Sequence, residues 1–154
     1  DAGFVIETES DPPKPQKFDA SPAANTVATY QSVLTAMEDP DCVIVDNRSH
    51  DEFIGVDKRA RHGGAIPTAK HLDWEDLYDH DTGCMKSATA LREAFETVGA
   101  TPDKDVTLYC NTGYRSAHAY LALRLLNYPR IRNYVGSWQE WGNRDGLPIS
   151  KPAK

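Results

Sequence analysis

Apolar residues recur along this chain in two patterns, helical spacing and short β-branched runs. Val27, Tyr30 and Val33 share one helical face, whereas Cys42-Val43-Ile44-Val45 is a continuous run typical of a strand buried on both faces. In chain order, the two patterns predict a helix over 26–37, a strand over 42–45, a helical turn over 49–53, a short strand within 69–72, a helix over 87–99, a strand over 105–109, a helix over 115–126, a strand over 131–135 and a helical turn over 138–143.

Strands and helices alternate in this order, which predicts an α/β fold with a mainly parallel sheet and helices on both faces. The segment 115–126 is apolar almost all round, so we expect that helix to be buried on nearly every side. Ligands of such sheets bind beyond the carboxyl ends of the strands. Two segments lie there: Asp46-Asn47-Arg48 follows one buried strand, and Cys110 follows another at Tyr109.

A chain of 154 residues is long enough for one hydrophobic core. Residues 1–24 include the Pro-rich stretch Pro12-Pro13-Lys14-Pro15 without sustained periodicity, so we predict an extended arm or interdomain linker there and one domain over 25–154. Because the chain opens at Asp1 without methionine, we expect it to be a processed form or one part of a longer protein.

The composition is that of an ordinary globular protein, with 40% hydrophobic and 26% charged residues. The 17 basic and 23 acidic residues leave a net charge of -6, so no broad basic field is present to bind nucleic acid or an anionic membrane. No apolar run approaches the roughly 20 residues that a membrane-spanning helix needs. An anionic ligand would therefore be bound by a local group of residues and not by a broad basic surface. The cellular compartment is left open between cytoplasm and periplasm.

The chain has three cysteines, Cys42, Cys84 and Cys110, an odd number without a CxxC pair, so at least one thiol is expected to be free. Cys42 begins an apolar strand and is expected to be an unreactive core residue. Cys84 ends the segment 79–84, whose histidine and aspartates match no zinc or calcium spacing. We therefore expect no metal site.

Cys110 lies between a predicted strand and a predicted helix, a position that favours an ionised thiol. Free backbone N–H groups and the positive end of the helix dipole stabilise an anion there, which lowers the pKa of a thiol and favours the nucleophilic thiolate. Gly113 permits a tight loop, and Arg115 adds a permanent positive charge. The segment is typical of a reactive cysteine.

Two chemistries use a cysteine in a loop closed by arginine. Cysteine-dependent phosphatases place five residues between the two, which makes room for a tetrahedral phosphate. Here only Asn111, Thr112, Gly113 and Tyr114 intervene, and Tyr109 stands where the phosphatase signature has histidine. The shorter loop indicates a smaller guest, such as a single sulfur atom on the cysteine.

Four motifs in this order resemble the rhodanese (sulfurtransferase) family, over about 26–148. They are Val45-Asp46-Asn47-Arg48 with Glu52-Phe53, then residues 64–69, the loop 110–115, and residues 136–141. The resemblance is strongest to the catalytic C-terminal domain of tandem-domain thiosulfate and 3-mercaptopyruvate sulfurtransferases. Departures are Ala65 and Thr68 in the Gly-His-Ile-Pro-Gly-Ala pattern, and Asn111, where many thiosulfate enzymes have arginine.

The resemblance implies a rhodanese-like fold and a double displacement in which the Cys110 thiolate takes the outer sulfur from a donor, holds it as a persulfide and passes it to a thiophilic acceptor without a cofactor. Arg48 resembles the family's substrate-binding arginine, with a structural ion pair to Asp46 as the alternative, and Arg61 is a candidate second contact. Trp138 is expected to pack near the site. The residues implied to surround the donor are Arg48, Arg61, Asn111, Thr112, Gly113, Tyr114, Arg115 and Ser116.

Thiosulfate is a compact dianion, and convergence of Arg48 and Arg115 would favour it over a monocarboxylate. The neutral Asn111 and Thr112 favour 3-mercaptopyruvate instead. The sequence therefore predicts a thiosulfate sulfurtransferase, with a mercaptopyruvate enzyme and a non-catalytic sulfur-carrier or regulatory module as alternatives. The expected partners are a small anionic sulfur donor, a thiophilic acceptor and an N-terminal rhodanese-like domain.

Overall fold

A parallel five-stranded sheet forms the centre of the computed structural model, which describes residues 3, 9, 12–21 and 25–153. The strand order is β1-β7-β6-β2-β3, and every neighbouring pair is parallel. A separate antiparallel hairpin joins β4 to β5. The strands are β1 Val27–Ala28, β2 Cys42–Asp46, β3 Lys70–His71, β4 Tyr78–Asp79, β5 Cys84–Met85, β6 Asp105–Tyr109 and β7 Ile131–Tyr134.

Helices follow the strands as the alternation predicts, and the α/β fold class is confirmed. They are α1 Tyr30–Ala36, α2 His50–Phe53, α3 Ala88–Thr97, α4 Tyr114–Leu125 and α5 Ser137–Trp141, with a 3-10 helix at Trp74–Leu77. Thr29, Ser49 and Ser87 cap the first three helices, because each side chain accepts a hydrogen bond from a backbone N–H of the first turn.

The sheet separates two hydrophobic clusters. Along β2 and β6, Val45 and Leu108 belong to one cluster and Ile44 and Tyr109 to the other, as alternating side chains require. Helices α3 and α4 contribute to the first cluster, and α1 and α5 contribute to the second. Both faces of the sheet are therefore covered, and its carboxyl edge is left for the site.

Two of the differences from the pattern analysis concern helices α1 and α4. The predicted helix over 26–37 begins later, because Val27–Ala28 pairs with β7 and Thr29 then caps α1. Helix α4 is not buried on nearly every side: Ala119 and Leu123 are buried, but Leu125 is 65% exposed. The uniform apolar pattern hid this asymmetry.

Residues 12–21 of the predicted arm contain neither helix nor strand and are exposed. Most other positions of 1–24 lie outside the described residues. Within the part of the chain that the structure describes, no helix is long and apolar enough to cross a membrane.

Candidate active site

The two segments singled out in the sequence meet because β2 and β6 are neighbours in register. Asp46 pairs with Tyr109 at the carboxyl edge, and the Asn47 backbone N–H donates to the Tyr109 carbonyl over 2.9 Å. Arg48 and Cys110 thus leave adjacent strands at the same edge. The sheet topology, not the spacing in sequence, creates this site.

The loop after β6 turns hydrogen-bond donors toward the Cys110 sulfur. The Gly113 backbone N–H donates to Sγ over 3.1 Å, and the Ser116 hydroxyl lies 3.6 Å from it. Gly113 has φ +89°, and a Cβ built there would lie 3.1 Å from the Val135 carbonyl oxygen. A side chain at Gly113 would therefore be disfavoured both by its backbone conformation and by crowding.

These hydrogen-bond donors lower the pKa of the Cys110 thiol. Burial is the largest single influence and by itself raises the pKa of the thiol. Hydrogen bonds from the Ser116 backbone and hydroxyl, and from the Thr112 and Gly113 backbones, together outweigh it and hold the pKa below its ordinary value. A buried sulfur is thus kept ready as a nucleophile.

The first turn of α5 fixes the loop from the other side. Ser137 Oγ accepts a hydrogen bond from the Cys110 backbone N–H over 3.2 Å, while the backbone N–H of Trp138 donates to the Cys110 carbonyl over 3.0 Å. Gln139 N–H binds the Asn111 carbonyl in the same way, over 2.9 Å. The sequence analysis missed Ser137, whose only signal was its place in the motif 136–141.

Arg115 is held by a partner that the sequence analysis quoted without a role. Its Nη1 and Nη2 donate to the two carboxylate oxygens of Glu52 over 2.6 and 2.8 Å. The signal was the pair Ser49 and Glu52, three residues apart, which forms a capping box at the start of α2. The box fixes Glu52 from one side, and Arg115 binds it from the other.

Arg48 is buried and paired within the fold, so binding of the donor anion by Arg48 stays a prediction that this geometry does not support. Its side chain is fully buried, and Nε and Nη2 bind the Asp46 carboxylate, the latter over 2.6 Å. Nη2 also donates to the Gly64 carbonyl over 2.7 Å. Tyr109 donates its hydroxyl proton to Asp46 as well. The structural ion pair, which was the open alternative, is what the chain forms, with both side chains fully buried.

Trp138 is a packing residue beside the site. Its ring is buried, with the Arg48 guanidinium 4.3 Å from the ring centroid. The indole N–H lies 3.1 Å from the carbonyls of both Lys58 and His62. This side chain therefore ties the loop after α2 to the Cys110 loop.

The remaining predicted site residues lie at different depths. Thr112 and Tyr114 are exposed, whereas Asn111 is half-buried with Oδ1 buried and without a partner. Arg61 is exposed and binds Asp145 over 2.6 Å, on the wall of a cavity of about 250 Å³ that Lys58 and Lys151 also line. A contact between Arg61 and the donor stays a prediction.

The other two cysteines differ from Cys110 in their surroundings. Burial, with a hydrogen bond to Asp39, raises the pKa of Cys42 to about 11, while Cys84 is exposed on β5. Across the described residues, no group of three or more histidine, cysteine or acidic side chains is arranged to hold a metal ion.

Comparison with known proteins identifies the family. Residues 29–144 match the model of the rhodanese-like domain, so the chain belongs to the rhodanese family. The sulfur carrier protein TtuD of Thermus thermophilus is 42% identical over 117 residues, which is 70% of this chain and 41% of that protein. The thiosulfate sulfurtransferase of Pseudomonas aeruginosa is 35% identical over 128 residues, 79% of this chain and 45% of that protein.

A solved structure of EanB, with a cysteine persulfide and ergothioneine, has the same fold. Its TM-score is 0.89 at 24% identity, and the match covers 99% of this chain and 39% of that one. The chain spans less than half the length of the two curated relatives named above. The recognition of the family and of its fold from sequence is confirmed.

The buried Asp46–Arg48 pair predicts a large loss of stability on Arg48→Met, about 3–5 kcal/mol, because Asp46 keeps an uncompensated buried charge. Asp46→Asn in the same chain should restore part of the loss. Urea unfolding measures both. An Arg48→Met variant of unchanged stability, with only a higher KM for the donor, would instead support a role of Arg48 in substrate binding.

The opposite shifts of two thiols predict different pH profiles for alkylation, since the thiolate is the reactive form. Peptide-resolved alkylation by iodoacetamide should reach half its maximal rate below the pKa of an ordinary thiol for Cys110, and near the raised value for Cys42. Ser116→Ala should raise the midpoint of Cys110 and leave that of Cys42 unchanged. A Cys110 midpoint that does not move would show that Ser116 does not stabilise the thiolate.

Proposed function

We propose that this chain is a sulfurtransferase that takes the outer sulfur of thiosulfate and passes it to a thiophilic acceptor through a persulfide on Cys110. One observation carries the proposal: the buried Cys110 sulfur, with its pKa lowered, lies 3.1 Å from an inward-pointing N–H of its own loop. The same donors that favour a thiolate would favour the terminal sulfur of a persulfide, which is also anionic.

The reaction balances without a cofactor. The Cys110 thiolate attacks the outer sulfur of thiosulfate, a sulfur–sulfur bond forms, and the original bond breaks with its electron pair leaving on sulfite. An acceptor such as cyanide or a thiolate then attacks the outer sulfur of the persulfide. The acceptor gains the sulfur, and Cys110 leaves as the thiolate it was at the start.

Thiosulfate as the donor is supported more weakly than persulfide formation. The sequence argument used two arginines, and burial of Arg48 removes one of them. The support that remains is Arg115 at the end of the loop and the name of the Pseudomonas aeruginosa relative. 3-Mercaptopyruvate is the competing donor, favoured by the neutral Asn111 and Thr112.

A sulfur carrier is the second candidate function. It is favoured by the relative TtuD, a sulfur carrier protein at 42% identity. A carrier would form the same Cys110 persulfide, and would differ in passing the sulfur to a partner protein instead of a small molecule. The buried Cys110 thiol of lowered pKa favours either of these functions over a purely regulatory module.

Participation of an N-terminal rhodanese-like domain stays a prediction, as does the absence of a cofactor. The activity, substrates and partners of the protein as a whole are part of this proposal. Adding a separately produced rhodanese-like domain from the same organism, and measuring sulfur transfer with and without it, tests whether a second domain completes the donor cleft.

Incubation with thiosulfate should add the mass of one sulfur atom to Cys110, because this thiolate alone combines a lowered pKa with the loop donors. Cyanide should remove the added mass and release thiocyanate. Intact-protein and peptide mass spectrometry measure both steps. Cys110→Ser should abolish the adduct.

The matched control is Cys84→Ser, which removes an exposed thiol outside the loop and should leave the adduct in place. An adduct that maps to Cys84, or one that survives Cys110→Ser, would contradict the proposal. Faster loading from 3-mercaptopyruvate than from thiosulfate would retain the persulfide but change the donor.

A further inference from the structure

The only charged side chain within the loop is already paired. Arg115 binds Glu52 through two parallel hydrogen bonds, and the Glu52 side chain is 4% exposed while that of Arg115 is 27% exposed. A two-point contact of this type fixes the guanidinium plane and is stronger than a single ion contact. The positive charge seen in the sequence is thus opposed by a negative one beside it.

Glu52 is held at this point by its own helix. The backbone N–H and the hydroxyl of Ser49 both donate to Glu52 Oε2 over 3.1 Å. Burial alone would raise the pKa of Glu52, but its hydrogen bonds to Arg115 and Ser49 lower it to about 2, so the carboxylate stays ionised at neutral pH. Its negative charge is therefore a fixed feature of the site.

The charge of Arg115 is also coupled electrostatically to the nucleophile. The pKa of Arg115 is raised first by the hydrogen bonds to Glu52, against the effect of burial, and further by the charge of Cys110. Guanidinium has five N–H donors, and Glu52 occupies two of them. The guanidinium that closes the Cys110 loop is thus held by Glu52, and its remaining donors are not used by that carboxylate.

The charges of Glu52, Arg115 and Cys110 bear on what an incoming anion would meet. Without Glu52, the arginine would offset the thiolate and still leave the loop donors free to attract a dianion. With Glu52, the pair is neutral and the thiolate charge faces the donor. The other nearby cation, Arg48, attracts Glu52 but is committed to Asp46 and is fully buried.

We propose that Glu52 is a positioning residue that fixes the orientation of Arg115 and masks its charge, and so sets the preference of the site between singly and doubly charged sulfur donors. This inference rests on the proposed function, since it concerns the donor of the same persulfide. It makes Glu52, and not the loop alone, a determinant of donor specificity.

The test compares two donors that differ by one charge. Thiosulfate and methanethiosulfonate carry the same outer sulfur, but methanethiosulfonate has one negative charge fewer and leaves as a sulfinate. Glu52→Gln keeps the shape and one acceptor oxygen and removes the charge. We expect the ratio of kcat/KM for thiosulfate to that for methanethiosulfonate to rise about tenfold, mainly through a lower KM for thiosulfate.

Asp51→Asn is the matched control. Asp51 precedes Glu52 in α2, but it is exposed, so loss of its charge is screened by water and should leave the donor ratio nearly unchanged. A ratio that rises equally in both variants would reflect the overall charge of the chain and would overturn the proposal.

Rescue distinguishes masking from a merely structural role. Arg115→Gln leaves Glu52 as an unpaired buried carboxylate beside the donor, so it should impair thiosulfate more than methanethiosulfonate. Adding Glu52→Gln should recover the rate of sulfur transfer from thiosulfate. The rates are compared per mole of folded protein with a titratable Cys110 thiol. The comparison of Arg115→Gln with the double variant also tests the proposal if Glu52→Gln alone does not fold. A double variant no better for thiosulfate than Arg115→Gln would overturn the proposal.

A measurement without any donor separates this inference from the proposed function. Removing the Glu52 charge should shift the pH midpoint of Cys110 alkylation downward, because the thiolate loses a neighbouring negative charge. If the wild-type chain accepts sulfur from neither donor, the proposed function fails while this shift still tests the charge masking. An unchanged or raised midpoint in Glu52→Gln would overturn the inference.

Discussion

The chemistry of this chain depends on the hydrogen bonds that the 110–116 loop directs at one buried sulfur. Burial opposes a thiolate, and the N–H of Gly113 together with the backbone and hydroxyl of Ser116 reverses that balance. The rest of the fold keeps this loop in shape. Parallel pairing of β2 with β6 brings the strand ends together, and the first turn of α5 binds the backbone of Cys110 on both sides.

Charged groups around the loop are used in pairs, and each pair has a different consequence. Asp46 and Arg48 are fully buried and join the end of β2 to Gly64, so their pairing stabilises the loops on which the site is built. Glu52 and Arg115 lie nearer the surface, at the end of the Cys110 loop, where we propose that their charges affect an incoming anion. On this proposal, the same chemistry of carboxylate and guanidinium serves stability below the site and selectivity at it.

Local patterns predicted the parts of this structure that depend on near neighbours. The β-branched run of β2, the cap at Ser87 and the strand-loop-helix around Cys110 were all visible in sequence. For Arg48 the sequence left donor binding and an ion pair with Asp46 open, and Glu52 had no role, because both depend on pairing in the fold. Arg48 pairs with Asp46 only once burial excludes water, and Glu52 meets Arg115 across 63 positions of chain. Exposure of Leu125 was likewise hidden in a helix of nearly uniform apolar composition.

The most direct test of this account is a crystal structure of the protein after loading with thiosulfate and before addition of an acceptor. The account predicts one extra sulfur on Cys110, inside the loop and within hydrogen-bonding distance of backbone N–H groups between Thr112 and Ser116. An extra sulfur that points away from these groups into solvent, or one that is attached to Cys84 instead, would contradict it.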